Sequence, residues 1–176
     1  MRKVQPHSLA AKSLHWGFIV VFLYALSKQL DEVEELEAPG LLQYEMAFAV
    51  VFLLLVGARF AFMGSSRPTA LPDGTPKRER LLARACHLGM YVSLALIPMS
   101  GLCIGGLYWS GVKQGAAMDA SLLVHEIAVN TLYTLIVIHV AAALYHRYQG
   151  DGVWDAMVPV WRERPANPDQ ENRLSN

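Results

Sequence analysis

The chain has 176 residues, of which 53% are hydrophobic and 17% are charged, and its formal net charge is zero. The length suits one domain, and the charged fraction lies well below the roughly 25% of ordinary soluble domains, which argues against a water-soluble enzyme. The sequence also lacks the broad basic surface that a nucleic-acid-binding protein needs, so nucleic acid is excluded as a partner.

Four apolar blocks predict four membrane-spanning helices, because each has about the 20 residues that a bilayer requires and carries its few charges near its ends. Pro98 and Gly101 predict a kink in the third helix. We therefore expect an all-α, integral membrane four-helix bundle, with one transmembrane domain over residues 1–162 and a polar tail over 163–176. The expected spans are 12–30, 41–63, 84–108 and 120–146.

Basic residues are concentrated at one end of this bundle. Twelve of the fifteen Lys and Arg residues lie in the two terminal segments and in the loop between spans two and three. Such segments face the cytoplasm, so both termini are predicted to be cytoplasmic. The first outer loop instead holds five acids between Asp31 and Glu37. After span four, the apolar residues and tryptophans of 153–161 predict a short C-terminal helix at the membrane interface.

Five of the six histidines lie within or at the ends of the spans, where ionisable groups are costly and usually functional; His7 lies outside them. His125 and His139 are 14 residues apart, which places them on nearly the same face of span four and about 21 Å apart along its axis. An imidazole bound to haem iron hides its polar nitrogen from lipid, so these histidines suggest haem ligands. One helix can therefore provide ligands for two haems, one in each leaflet. His15 and His87 both lie near the depth of His139, so they compete as its partner. No CxxCH motif occurs, which excludes covalent c-type haem.

These residues resemble the bacterial cytochrome b561 family of four-span, di-haem membrane cytochromes that exchange electrons with quinone. The resemblance covers about residues 8–160 and is most specific in span four, LVHEIAVNTLYTLIVIHVAAALYHRY. The supporting strings in spans one to three are LHWGF, VGARF and HLGMYVSLALIPMSGL. The resemblance implies a bacterial inner-membrane protein with His15 and His139 as axial ligands of an inner haem b. It also implies His125 as one ligand of an outer haem.

Span two departs from the family pattern. The family takes its second outer ligand from the outer end of this span, but the residue 14 positions before Arg59 is Glu45. Three alternatives follow for the outer haem: it is absent, it is bound by His125 alone, or it is bound by His125 with a carboxylate or another weak ligand opposite. If Glu45 is not a ligand, it is an interfacial acid or a hydrogen-bond partner of His125. We expect one tightly held haem per chain. The resemblance places Arg59 toward the inner propionates, with His87 on the same side; the alternative for Arg59 is snorkelling to lipid headgroups.

The resemblance implies an electron-transfer oxidoreductase that connects the quinone pool to a periplasmic or membrane redox partner. Some relatives oxidise superoxide, but the acidic first outer loop would repel an anion and attract a basic protein such as a periplasmic cytochrome c. The alternative is a haem-bearing or haem-depleted accessory subunit that packs against a larger respiratory or photosynthetic membrane complex. In both cases the protein contacts membrane lipid.

Overall fold

A computed structural model describes residues 8–28, 30, 32–65, 71–72, 74–161 and 163, which form helices and connecting turns without a strand. The elements are α1 (Leu9–Leu26), a 3-10 helix (Val33–Glu37), α2 (Leu41–Ser65), α3 (Lys77–Trp109), α4 (Ala116–Gln149) and α5 (Val153–Met157). The four longest helices are each long and apolar enough to cross a membrane. The prediction of an all-α four-helix membrane bundle followed by a short fifth helix is confirmed. The predictions for His7 and for the tail beyond residue 163 lie outside the described residues.

The helices α3 and α4 extend beyond the spans that hydropathy predicts. α3 begins at Lys77, before the predicted start of span three at 84, because Pro76 at its N-cap introduces the sequence KRERLLAR, which is rich in good helix formers. α4 begins at Ala116 and runs to Gln149, where Gly150 in the left-handed conformation ends it. A helix of 33 residues is about 50 Å long, so these polar extensions reach beyond a hydrocarbon core of about 30 Å.

The long helices pack mainly in chain order: α3 packs most extensively against α4 and α2, whereas α1 contacts α2 more sparsely. Glycines allow the close approaches. A side chain at Gly105 would place its Cβ 2.8 Å from Met46 on α2, and one at Gly89 would lie 2.8 Å from Leu135 on α4. All four helices contribute to a central apolar cluster, whose buried members are Phe52, Val56, Leu94 and Leu132.

We call the end at which α1 begins and α4 ends the inner end, and the opposite end the outer end. At the outer end, Leu36 of the 3-10 helix is buried against Ile104, Tyr108 and Met118. This contact between the first outer loop and the helices α3 and α4 closes the outer end with packed apolar side chains.

An ion pair fixes the same loop to the connection between α3 and α4. Lys113 Nζ lies 2.7 Å from Glu37 Oε1, and the Tyr108 hydroxyl donates to the same oxygen at 3.2 Å. The hydrogen bond and the charge of Lys113 lower the pKa of Glu37, and the hydrogen bond to Glu37 raises the pKa of Lys113. One of the five loop acids is therefore neutralised within the protein.

Candidate functional site

The inner end brings together one polar side chain from each long helix. His15 lies on α1, Arg59 on α2, His87 on α3 and His139 on α4. Arg59 Nη2 is 2.6 Å from His15 Nδ1, and the ring centroids of His87 and His139 are 5.2 Å apart in an edge-on arrangement. His87 and His139 both lie within electrostatic range of Arg59.

Arg59 lies in an environment that does not match its charge. Its guanidinium carbon is 5.3 Å from the centroid of the Phe18 ring, and Nη1 is buried without a hydrogen-bond partner among the described residues. No carboxylate in the described part of the chain forms an ion pair with it. Because an unpaired buried donor on a charged group is costly, the site lacks an anionic acceptor that a bound molecule can supply. Arg59 as a whole is half-buried, and Nη1 is its buried nitrogen.

The hydrogen bond from Arg59 also defines the protonation of His15. A guanidinium can only donate, so Nδ1 of His15 accepts the hydrogen bond and the proton of the neutral ring lies on Nε2. A metal ion needs an unprotonated nitrogen. His15 therefore has to lose its hydrogen bond from Arg59, so that the proton can move from Nε2 to Nδ1, before Nε2 can act as a ligand.

The outer level contains His125 in a different arrangement. Its Nδ1 is 3.0 Å from the hydroxyl of Ser100, which is buried and itself donates to the carbonyl of Leu96 at 2.6 Å. The hydroxyl proton is used in the second bond, so Nδ1 of His125 donates and Nε2 keeps its lone pair. An oxygen that holds one ring nitrogen in this way is typical of histidines that bind metal through the other.

Glu45 lies on α2, whereas His125 lies on α4. Glu45 is half-buried near the start of α2 and lies within electrostatic range of Lys28. No hydrogen bond joins Glu45 to His125 among the described residues. The hydrogen-bonded arrangement of these two side chains that the sequence suggested as one alternative is therefore not formed.

Sequence reasoning identified the four inner residues and His125, but it missed Ser100, which orients the His125 ring. A serine between Pro98 and Gly101 in an apolar span was the available signal, because a buried hydroxyl needs a hydrogen-bond partner. The contact between His87 and His139 was not predicted either, since it depends on how α3 and α4 are rotated against each other.

A haem fits the inner residues better than a bare metal ion does. No group of three or more His, Cys, Asp or Glu side chains in the described residues forms a metal-ion site. Haem iron needs only axial protein ligands, for which imidazole is common. The haem propionates are anionic hydrogen-bond acceptors, which Arg59 lacks in the described part of the chain. The donor set and the unpaired Nη1 therefore agree with a haem at this level.

Comparison with known proteins gives the same result. The family model for prokaryotic cytochrome b561 matches residues 6–160, which include α1 to α5 and all the candidate residues. No curated protein and no solved structure matches the chain. The chain belongs to the prokaryotic cytochrome b561 family and is a multi-pass membrane b-type cytochrome of electron transfer.

Proposed function

We propose that the chain holds one haem b at its inner end between His15 and His139, and transfers electrons between quinone in the bilayer and a redox partner at the outer end. The observation that carries this proposal is the buried Nη1 of Arg59, which has no hydrogen-bond partner among the described residues and belongs to the guanidinium that contacts His15. When bound, the haem supplies a one-electron couple between ferrous and ferric iron. Ligation by two imidazoles leaves the iron no open position, which suits electron transfer rather than oxygen binding.

The contact between His87 and His139 supports His15 as the second ligand. The ring centroids of His87 and His139 are 5.2 Å apart in an edge-on arrangement, so the two rings pack directly against each other. In the proposed site, His87 packs against His139 and orients its ring. His15 on α1 is then the inner histidine that remains to act as the second ligand. In this arrangement Arg59 releases Nδ1 of His15, and both terminal nitrogens of the guanidinium become available to a propionate.

The outer end has less capacity for a second haem. The resemblance puts Glu45 at the position of the family's second outer ligand. The outer apolar cluster around Leu36 and Met118 fills this end with buried side chains. A neutral carboxyl group also binds iron poorly, and a carboxylate is costly at membrane depth. One tightly held haem per chain is therefore the composition that we propose.

The outer surface favours a basic redox partner. After Lys113 has neutralised Glu37, the glutamates at positions 32, 34 and 35 remain exposed on the first outer loop. Clustered negative charge attracts cationic proteins and repels superoxide. With both termini in the cytoplasm of a bacterial cell, this loop faces the periplasm, where a basic cytochrome c is a partner of matching charge.

Quinol-driven reduction of the purified chain tests this function. The protein is reconstituted in lipid nanodiscs, oxidised, and mixed with a short-chain ubiquinol while the haem spectrum is recorded. We expect rapid haem reduction in the wild type and none in His139→Ala, with Trp109→Phe as a matched control outside the inner site. A chain that quinol cannot reduce, and that copurifies in fixed ratio with a larger complex, would instead be an accessory subunit.

A further inference from the structure

The helix α1 carries His15 but is the least anchored of the long helices. It contacts α2 more sparsely than α3 contacts either neighbour, and Ala11 is the only buried residue of α1, all of which the structure describes. The proposed ligand pair consists of His15 on α1 and His139 on α4. A structural link between α1 and α4 at the inner end is therefore needed to keep these two histidines in register.

Residues 150–161 together with Glu163, here called the C-terminal strap, form such a link. Gly150 and Gly152 adopt positive φ angles of 65° and 90°, which glycine tolerates, and the chain turns back there from the end of α4. The Glu163 carboxylate accepts the backbone N–H of Gly152 at 2.6 Å and that of Trp154 at 2.8 Å. These bonds satisfy donors in the first turn of α5, so the strap is a closed local structure.

The strap is fixed to the end of α4 by three side-chain contacts. Arg147 Nε donates to the carbonyl oxygen of Trp161 at 3.3 Å. His146 Nδ1 lies 2.6 Å from Asp151 Oδ2, and the Arg147 guanidinium carbon lies 5.3 Å from the centroid of a Trp154 ring. His146 and Arg147 belong to the last turn of α4, beyond His139. The position of the strap is therefore tied to the helix that carries the proposed second ligand.

On its other side, the strap contacts α1 before and after His15. Lys12 Nζ donates to the carbonyl oxygen of Asp155 at 2.8 Å, and Trp16 Nε1 donates to that of Met157 at 3.3 Å. Both acceptors lie at the C-terminal end of α5, where carbonyls lack partners within the helix and a cation is favourable. Two donors that flank His15 thus connect its helical turn to the strap.

Buried alanines mark close packing in the same region. Ala11 of α1 and Ala156 of α5 are each 1% exposed, although both helices lie at the periphery of the bundle. Ala11 precedes His15 by four residues, so the two share one face of α1. The hydrogen bonds from Lys12 and Trp16 to the strap therefore start from positions next to this buried face.

We infer that the C-terminal strap is a positioning element for the inner site, which ties α1 to the end of α4 and so holds His15 in place opposite His139. This inference rests on the proposed pair of ligands. The strap acts through Lys12 and Trp16.

The test removes both donors from α1 while preserving its shape. The double variant Lys12→Met with Trp16→Phe is compared with Trp109→Phe, which changes an exposed tryptophan at the outer end. The holoproteins are studied in nanodiscs by hydrogen exchange of α1 amides, ferric optical spectra and haem transfer to apomyoglobin. In the double variant we expect exchange over residues 11–18 and haem loss to be accelerated about tenfold, as two lost hydrogen bonds imply. We also expect a high-spin ferric fraction.

Two further results separate this inference from the proposed ligands. Lys12→Arg combined with Trp16→Phe keeps one cationic donor and should recover most of the low-spin spectrum, which a general loss of stability would not allow. Unchanged α1 exchange or unchanged haem loss in the first double variant overturns the strap inference. A low-spin spectrum that survives in His15→Ala instead overturns the ligand assignment, and the exchange data then still decide whether the strap holds α1.

Discussion

Replacing Arg59 by methionine should weaken haem binding without unfolding the bundle. Arg59 makes a hydrogen bond to His15 at 2.6 Å and a cation–π contact to Phe18 at 5.3 Å, while Nη1 has no hydrogen-bond partner among the described residues. In the haem-free protein, the contacts contribute about 1–3 kcal/mol and about 1–2 kcal/mol, and their loss is partly offset because a half-buried charge is removed with them. Methionine retains much of the apolar stem.

In the haem-bound protein, the same substitution removes the charge-assisted hydrogen bonds that we assign to a propionate. Such bonds contribute about 1.5–3 kcal/mol, which corresponds to a roughly 10- to 150-fold loss of haem affinity. Haem transfer to apomyoglobin measures the dissociation rate, and Arg59→Lys is the control that keeps the charge but not the planar fork. The haem dissociation rate of Arg59→Lys should lie between those of the wild type and Arg59→Met. A dissociation rate for Arg59→Met within twofold of the wild type would refute the role of Arg59.

Three further predictions address other parts of the protein. Glu45→His should raise the haem content toward two per chain and add a second low-spin redox transition, measured by pyridine haemochrome and potentiometry; an unchanged content would show that the packed outer end excludes haem. His15→Ala should abolish the low-spin inner haem, whereas His87→Ala should keep a six-coordinate optical spectrum; the reverse pattern would exchange their roles. The stability difference between the wild type and Lys113→Met should be largest near neutral pH in thermal unfolding. The contribution of Glu37 is present above its unfolded pKa and is lost as pH falls through its lowered folded pKa, while that of Lys113 is lost as pH rises through its raised folded pKa. A pH-independent difference would contradict the ion pair.

The fold could be predicted from the sequence because a bilayer requires about 20 apolar residues in each spanning helix, and four such blocks are present. Counting residues also gave the depth of each histidine, so His15, Arg59, His87 and His139 could be assigned to one level. Helix rotation is different, since nearly uniform apolar spans give no clear polar face from which to derive it. For this reason the hydrogen bond from Arg59 to His15 was not predicted.

The C-terminal strap shows a second limit of sequence reasoning. Its tryptophans predicted a helix at the membrane interface, and α5 is present over Val153–Met157. Its attachment to Lys12 and Trp16 joins residues more than 140 positions apart, and no local pattern encodes such a contact. Glycine turns at Gly150 and Gly152 were the only local indication that the chain reverses there.

The haem content of the purified wild-type chain tests the central claim most directly. Pyridine haemochrome absorbance is divided by protein concentration from amino-acid analysis, and the ferric protein is examined by electron paramagnetic resonance. Our account predicts close to one haem b per chain with a single low-spin, bis-histidine signal. Two low-spin bis-histidine haems per chain would contradict it, because no histidine of α2 can provide the fourth ligand.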